Sequence, residues 1–246
     1  MTGPPNPGGA PTSTEPGAIV FLPPPDLKGF DEDEIYTLFS SSGVTAATHV
    51  FHMPGHHDQL SHGSGGTFNE RVTTAKKGKA AHGSVPRQYT MGVDDDDTDM
   101  AIGEYVIDGD DINADLRGGG SSYSATTDLV DGAMERSKLP EDAVVYRGVS
   151  SAQRTFGSAY RSSSMVGMEW TDRGYSSTTT NEVVADRFAG GSALGVRMRI
   201  LAPAGTGAIA IDDYESEILL PRGLKFRVVN DVLPESGPRQ LDVEIV

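Results

Sequence analysis

The sequence predicts an α+β domain that follows a long segment of low sequence complexity. Three observations support this prediction. Pro, Gly, Thr and Ser dominate residues 1–25, apolar residues recur with helical spacing in residues 100–139, and short runs rich in Val, Ile and Leu occur throughout residues 143–246. Helices followed by a series of short strands are typical of the α+β class.

The composition limits what kind of protein this is. The chain has 246 residues, of which 37% are hydrophobic and 22% charged, which allows one or two domains with a moderate core. No apolar run is long enough to cross a bilayer, and no secretory signal is visible. Its net charge of -15 predicts a soluble protein with neither a membrane nor a nucleic acid as partner. Without cysteine there is no disulfide and no thiol chemistry.

The first third of the chain is expected to be mostly disordered. We assign residues 1–88 to this segment and begin the folded domain at residue 89, where periodic apolar sequence starts. All six histidines lie between His49 and His82. Their densest part, residues 52–62, suggests zinc, but Gly and Pro interrupt it and no cysteine accompanies it. We therefore expect a solvated or partner-binding linker and no metal.

The same histidine segment has a short resemblance to a Gly/His-rich stretch of phage head-associated proteins. This resemblance implies a phage head or portal protein as a partner. It leaves open whether the protein is associated with a virion or delivered into a host cell.

Two helices are expected at the start of the domain. Apolar residues lie along one side of residues 100–118, although Gly103 and Gly109 weaken this helix, and residues 121–139 form the second. The apolar positions of the first helix are Ile102, Tyr105, Val106, Ile112 and Leu116, and the buried stripe of the second is Leu129, Ala133 and Met134.

A strand is expected over residues 143–150, with Arg147 in its centre. An arginine inside an apolar strand needs a partner. Two interpretations stay open: a guanidinium that reaches water at a sheet edge, or one whose planar fork binds a pyrophosphate.

A Ser/Thr-rich strand follows at residues 176–180, and by itself it indicates only hydrogen-bonded β-structure. Asn181 is the expected N-cap of a short helix over residues 181–189, in which Phe188 is interpreted as a core residue. Further strands are expected at residues 194–201, 208–211, 225–229 and 241–246.

Residues 214–223, Tyr-Glu-Ser-Glu-Ile-Leu-Leu-Pro-Arg-Gly, read as a loop that runs into a strand, which Pro-Arg-Gly ends. If the segment is extended, Glu215 and Glu217 point to the same face. Two close carboxylates suit cation binding or proton transfer, because like charges raise one of the two pKa values. The alternative is a solvated face at the start of a strand.

These motifs resemble those of the arginine-directed mono-ADP-ribosyltransferases, in the same chain order. Tyr-Arg-Gly at residues 146–148 looks like the first motif. Gly-Tyr-Ser-Ser-Thr-Thr at residues 174–179 looks like the second, with Thr in place of its last Ser, and Glu-Ser-Glu at residues 215–217 looks like the third. Tyr105, Ile112-Asn113 and Leu116-Arg117 are similar to the first helices of that family.

The resemblance implies a mixed β-sheet core of the ADP-ribosyltransferase type, with NAD as substrate and an arginine-bearing target protein as partner. Arg147 would bind the diphosphate of NAD, and Gly148 would let the nicotinamide approach the backbone. Ser177 would orient Glu217, which acts at the ribose, and Glu215 would receive the acceptor guanidinium. The implied NAD-binding residues are Arg147, Gly148, Ser177, Phe188 and Glu217, with Phe188 stacking on nicotinamide as the alternative to a core position.

The chemistry fits a domain that has no histidine after His82. Cleavage of the nicotinamide–ribose bond places positive charge on the sugar, which a fixed carboxylate stabilises, and nicotinamide leaves neutral without a general acid. Two other functions stay open: an NAD glycohydrolase that uses water, and a catalytically inert structural protein. We further expect Arg147, Ser177 and Glu217 to converge, with the Ser177 hydroxyl in hydrogen-bond reach of Glu217.

Overall fold

The computed structural model describes residues 66–90, 96–161, 164–211 and 214–246. The residues 1–65 that are expected to be disordered, including the histidine-rich stretch at residues 52–62, lie outside the described residues. The partner-binding and phage-related interpretations of that stretch therefore stay predictions.

A mixed eight-stranded β-sheet forms the centre of the domain. Its strands are β1 Ala143–Val149, β2 Glu169–Thr171, β3 Ser176–Thr179, β4 Val196–Ala202, β5 Ile209–Ala210, β6 Glu217–Leu220, β7 Lys225–Val232 and β8 Arg239–Ile245. They lie in the order β2-β7-β8-β4-β1-β3-β6-β5. Strands β4 and β8 are parallel, and the other neighbouring pairs are antiparallel. This order makes β1, β3 and β6 neighbours, although they are far apart in the sequence.

Six α-helices surround the sheet within the described residues: α1 Phe68–Thr74, α2 Gly78–His82, α3 Asp97–Gly118, α4 Ser124–Arg136, α5 Ala152–Phe156 and α6 Glu182–Phe188. The Asp96 side chain caps α3 by accepting from the Asp99 N–H at 2.8 Å, and Gly119 ends α3 in the left-handed region with φ 79°. The helix is kinked at Asp108, beside the predicted weak point Gly109. None of the helices in the described ranges is long and apolar enough for a membrane crossing.

The predicted α+β fold is therefore confirmed, and the helices pack on the sheet through buried apolar faces. Helices α3 and α4 cover β5 and β6, where Ile112, Val130 and Leu219 are fully buried. One detail of the predicted stripe of α4 is wrong: Leu129 is 37% exposed, and its neighbour Val130 is buried instead. Val130, Ala133 and Met134 together form the buried side of the helix, in one cluster with apolar residues of α3.

Packed structure begins earlier than residue 89. Helix α1 starts with a capping box between Thr67 and Glu70 and buries Val72 against β1 and β4. Ala81 and Val85, from α2 and the segment after it, are part of the main core. These helices are short and rich in polar and small residues, so average composition does not separate them from the preceding low-complexity segment.

Strand β8 is fixed in place by a buried ion pair at its first residue. Arg239 is 1% exposed and donates from Nε to Asp231 Oδ1 at 2.7 Å and from Nη1 to the Tyr160 carbonyl at 2.6 Å. Asp231, on β7, also accepts from the Met165 N–H at 2.6 Å. The pair thus joins β7, β8 and the segment that leads to β2.

Gly148 on β1 lies directly against the end of α6. A Cβ at this position would be 2.5 Å from the Ala189 nitrogen and even closer to the Ala185 carbonyl oxygen. Both atoms belong to the backbone at the end of α6, which cannot shift without a large cost in free energy. Glycine at this position is therefore required for the contact between helix α6 and strand β1.

The variant Gly148→Ala is expected to lower the free energy of unfolding by about 2–3 kcal/mol, because the added methyl group overlaps the α6 backbone. Urea unfolding followed by circular dichroism measures the change. The matched control is Gly118→Ala, since a Cβ at Gly118 meets nothing within 4 Å. This control should stay within about 0.5 kcal/mol of the parent. Equal stability of the two variants would contradict the packing argument.

Candidate active site

Strands β1, β3 and β6 bring the three predicted motifs side by side. On β3 and β6, Ser177 lies opposite Leu219, and Thr179 lies opposite Glu217. Directly opposed residues share a face, as do residues two apart on one strand, so Ser177 and Glu217 are diagonal neighbours on the same face. On the next strand, β1, Tyr146 pairs with Thr179, and Arg147 follows it.

A buried tyrosine links the serine to helix α3. The Tyr105 hydroxyl lies 3.2 Å from Ser177 Oγ and accepts a hydrogen bond of 2.8 Å from Asn113 Nδ2. Burial raises the pKa of Tyr105, and the charge of Glu217 raises it further while that of Arg147 lowers it. Both charged groups therefore act on the same hydroxyl, which stays protonated at neutral pH.

Asp172 holds two arginines together beneath the site. This carboxylate is 6% exposed and receives Arg117 in a bidentate contact, Nε–Oδ1 2.9 Å and Nη2–Oδ2 3.0 Å. Arg147 Nη1 donates to Asp172 Oδ2 at 3.1 Å and to Ser176 Oγ at 2.9 Å. Burial alone would raise the pKa of Asp172, but the two guanidinium groups and the Gly174 N–H outweigh it, and the pKa is lowered.

Sequence reasoning missed Asp172 as a site residue. The structure shows that Arg147 contacts Asp172 and Ser176, whereas Ser177 contacts Tyr105. The sequence contains one sign of this role, an Asp two positions before the Gly of the Ser/Thr motif, which is a pattern typical of turns. Asp172 Oδ1 accepts from the Gly174 N–H at 3.0 Å and stabilises the turn that leads into β3.

A second network fixes β3 between α4 and the end of β6. The Tyr175 hydroxyl donates to Asp131 Oδ1 at 2.7 Å and to the Thr127 carbonyl at 3.0 Å. Arg222 donates from Nε and Nη2 to Asp131 Oδ2 at 2.8 and 2.6 Å. Burial and the neighbouring carboxylate raise the pKa of Tyr175, so its hydroxyl remains a donor. The contact with Asp131 gives a structural role to Arg222, the arginine of the Pro-Arg-Gly segment that follows β6.

The two glutamates occupy different kinds of backbone. The segment is a loop that runs into a strand, as predicted, but β6 begins only at Glu217. Glu215 lies in the preceding turn, where Ser216 has φ 50°, in the left-handed region. The expectation that both carboxylates share a strand face is therefore wrong. Thr179 Oγ1 donates to the Glu215 carbonyl at 2.5 Å, and the Thr180 N–H donates to the Ser216 carbonyl at 3.0 Å.

Comparison with known protein families identifies the family to which the chain belongs. The family model described as ADP-ribosyltransferase exoenzyme matches residues 76–245, which include all three motifs. The chain belongs to the ADP-ribosyltransferase exoenzyme family. It is therefore an ADP-ribosyltransferase, and NAD is its substrate.

Solved structures with the same fold are ADP-ribosylating toxins and exoenzymes. Plx2a, a toxin from Paenibacillus larvae, is 21% identical, with a TM-score of 0.50 over 62% of this chain and 87% of that chain. An ADP-ribosyltransferase from Clostridium botulinum is 16% identical, with a TM-score of 0.51 over 60% and 85%. The C3 exoenzyme of Clostridium limosum is 16% identical, with a TM-score of 0.50 over 61% and 84%. No curated protein sequence is significantly similar.

The side chains of this ADP-ribosyltransferase fit NAD chemically. Arg147, whose side chain is 20% exposed, presents a guanidinium that suits a diphosphate, and the exposed Ser177 hydroxyl and the half-buried Glu217 carboxylate suit a ribose. Phe188 is 55% exposed, so its interpretation as a core residue is wrong. Its backbone lies against Gly148, next to Arg147. Because Gly148 has no Cβ, the backbone at the end of α6 occupies the space where that atom would lie.

The variant Asp172→Asn of this ADP-ribosyltransferase is expected to lose roughly 2 kcal/mol of stability at pH 7, because Arg117 and Arg147 lose their shared counter-ion. The pKa of Asp172 is lowered in the folded state, so its contribution is complete above the unfolded value of about 3.9 and is lost as pH falls through the folded value. Urea unfolding at pH 7, 5 and 3 should show the difference from the parent constant down to about pH 5 and smaller at pH 3. A difference that does not change with pH would contradict the ion-pair explanation.

Proposed function

We propose that this ADP-ribosyltransferase transfers ADP-ribose from NAD to arginine side chains of a target protein and releases nicotinamide. The observation that carries the proposal is the position of Glu215. The turn that contains it is hydrogen-bonded through its backbone to Thr179 and Thr180, at the end of the strand that carries Ser177, and it leads directly into Glu217. A carboxylate there suits an acceptor that arrives as a cation.

In this proposal the arginines and hydroxyls of the site hold NAD. Arg147 binds the diphosphate, and Asp172 orients its guanidinium while Arg117 balances the carboxylate. The Tyr105 oxygen accepts from Asn113. We assign the Tyr105 hydrogen to Ser177, one of the two directions that this contact allows, so that the Ser177 hydrogen is available for a further acceptor. We assign Glu217 as that acceptor. In this proposal the exposed ring of Phe188 belongs to the nicotinamide end. Gly148 acts there only indirectly, because its Cβ side is filled by the backbone of α6.

The two glutamates have separate roles. NAD supplies a glycosidic bond whose cleavage leaves positive charge on the ribose and neutral nicotinamide. Glu217 stabilises that charge, and its place at the start of a paired strand keeps it in position. Glu215 accepts a proton from the incoming guanidinium, which is otherwise always charged and not nucleophilic.

NAD hydrolysis is the alternative that one observation favours. Ser177 is exposed, so water reaches the side chains that hold the ribose. An NAD glycohydrolase needs Glu217 but has no use for Glu215. The exoenzyme description of the family favours a target protein in another cell over a phage head or portal protein.

Incubation of the protein with labelled NAD separates the three functions. Agmatine, which carries a guanidinium, and an amine of the same length that lacks it serve as paired acceptors. Labelling of agmatine alone supports the proposal, release of free ADP-ribose with either acceptor supports the glycohydrolase, and the absence of any product supports an inert domain. Mass spectrometry of labelled protein substrates then locates the modified side chain.

A further inference from the structure

His82 is not part of the predicted motifs, but it contacts the hairpin that carries both glutamates. It is the last residue of α2 and is 8% exposed. Its Nε2 lies 3.3 Å from the carbonyl oxygen of Ile211. Because a carbonyl oxygen only accepts, this contact requires a hydrogen on Nε2.

Ile211 is the point at which this hairpin, between β5 and β6, begins. Its N–H donates to the Glu217 carbonyl at 2.9 Å and closes the hairpin. The chain after α2 supports the same backbone: the Ala210 N–H donates to the Arg87 carbonyl at 2.9 Å, and the Tyr89 N–H donates to the Ala210 carbonyl at 2.7 Å. The start of the hairpin is therefore held by residues 82–89.

The far side of the hairpin is held by β3, through Thr179 and Thr180. Glu217 is additionally paired within the sheet, whereas Glu215 stands in a turn outside it. Ile211 is bonded to Glu217, but the pairing of Glu217 with Thr179 in the sheet does not depend on the contact at Ile211. Glu215 has no place in the sheet, and its turn is supported by Thr179 on one side and by the start of the hairpin on the other.

We propose that His82 is a positioning residue for Glu215, and through it for the arginine acceptor. The inference rests on the proposed arginine transfer. Helix α2 thereby acts on acceptor use through the hairpin, since the imidazole contacts the backbone from which the turn departs.

Three variants of the full-length protein test this role. His82→Leu keeps the apolar volume but removes the donor, whereas His82→Gln places an amide N–H near the position of Nε2. His82→Leu should reduce agmatine labelling roughly tenfold or more, and should change nicotinamide release without acceptor less than about threefold. His82→Gln should restore most of the labelling. Val85→Ala is the control, because Val85 is in the adjacent core and 2% exposed, and its loss should keep the ratio of the two activities.

Hydrogen–deuterium exchange gives a readout that does not depend on the acceptor. Peptides that contain Ile211 and Glu215 should exchange faster in His82→Leu than in the parent or in His82→Gln. If the parent labels no arginine but this difference is present, the proposed transfer fails and the positioning of the hairpin stands. If His82→Leu keeps both the parent's exchange and its ratio of activities, or if His82→Gln behaves like His82→Leu, the inference about His82 is overturned.

Discussion

Replacement of Glu217 by Gln is expected to abolish arginine labelling and nicotinamide release together. The amide keeps the shape of the side chain but removes the negative charge that stabilises the developing charge on the ribose. The loss should be at least about 10²–10³-fold in kcat, or roughly 3–4 kcal/mol, as for other electrostatic contacts made in a transition state. Chromatographic assay of nicotinamide, with and without agmatine, measures both activities.

The control for this prediction is Glu235→Gln, which removes the same charge from an exposed residue in the connection between β7 and β8. It should keep the activity of the parent. Near-UV circular dichroism of Glu217→Gln should also match the parent, because the strand pairing of β6 uses backbone atoms. Nicotinamide release that survives in a folded Glu217→Gln variant would remove Glu217 from the catalytic residues.

Replacement of Glu215 by Gln is expected to separate the two activities. The carboxylate at the ribose is kept, and only the group that receives the guanidinium is changed. Agmatine labelling should fall about 100-fold, in the range of a lost general base, whereas nicotinamide release should stay within about threefold because water still attacks. The two assays are run side by side on the same preparation.

The result that would contradict this prediction is equally specific. A Glu215→Gln variant that labels agmatine as well as the parent does would make Glu215 a surface residue, and the proposed arginine specificity would be lost with it. Equal losses of both activities would instead indicate that the turn at Ser216 positions Glu217, since the two carboxylates share one backbone segment.

The elements that the sequence predicts well are those whose signal is local. The apolar spacing of α3, the Asn181 cap of α6 and the Val-rich β1 each depend on neighbouring residues, and the structure confirms them. The exception is Val106 on α3, which was expected on the apolar side and is 38% exposed. Motif order also selects Arg147 and Glu217 as candidate site residues, and their roles stay predictions.

The features that were missed depend on distant partners or on single dihedral angles. Asp172 meets Arg117 and Arg147 from sequence separations of 55 and 25 residues, which no local pattern reveals. The left-handed φ of Ser216 keeps Glu215 out of β6, which begins at Glu217, and a non-glycine residue gives little warning of such a conformation. The short helix α2 was missed because its length gives no full period of apolar residues.

The parallel insertion of β8 has a consequence for how the protein reaches its active form. Strand β8 lies between β7 and β4, so the sheet stays split until residues 239–245 are in place. During synthesis, a chain that lacks these residues exposes two unpaired strand edges and leaves part of its core open, since Leu241 and Val243 are buried there. The folded domain therefore arises only after residues 239–245 have been synthesised, and until then its open strand edges favour aggregation.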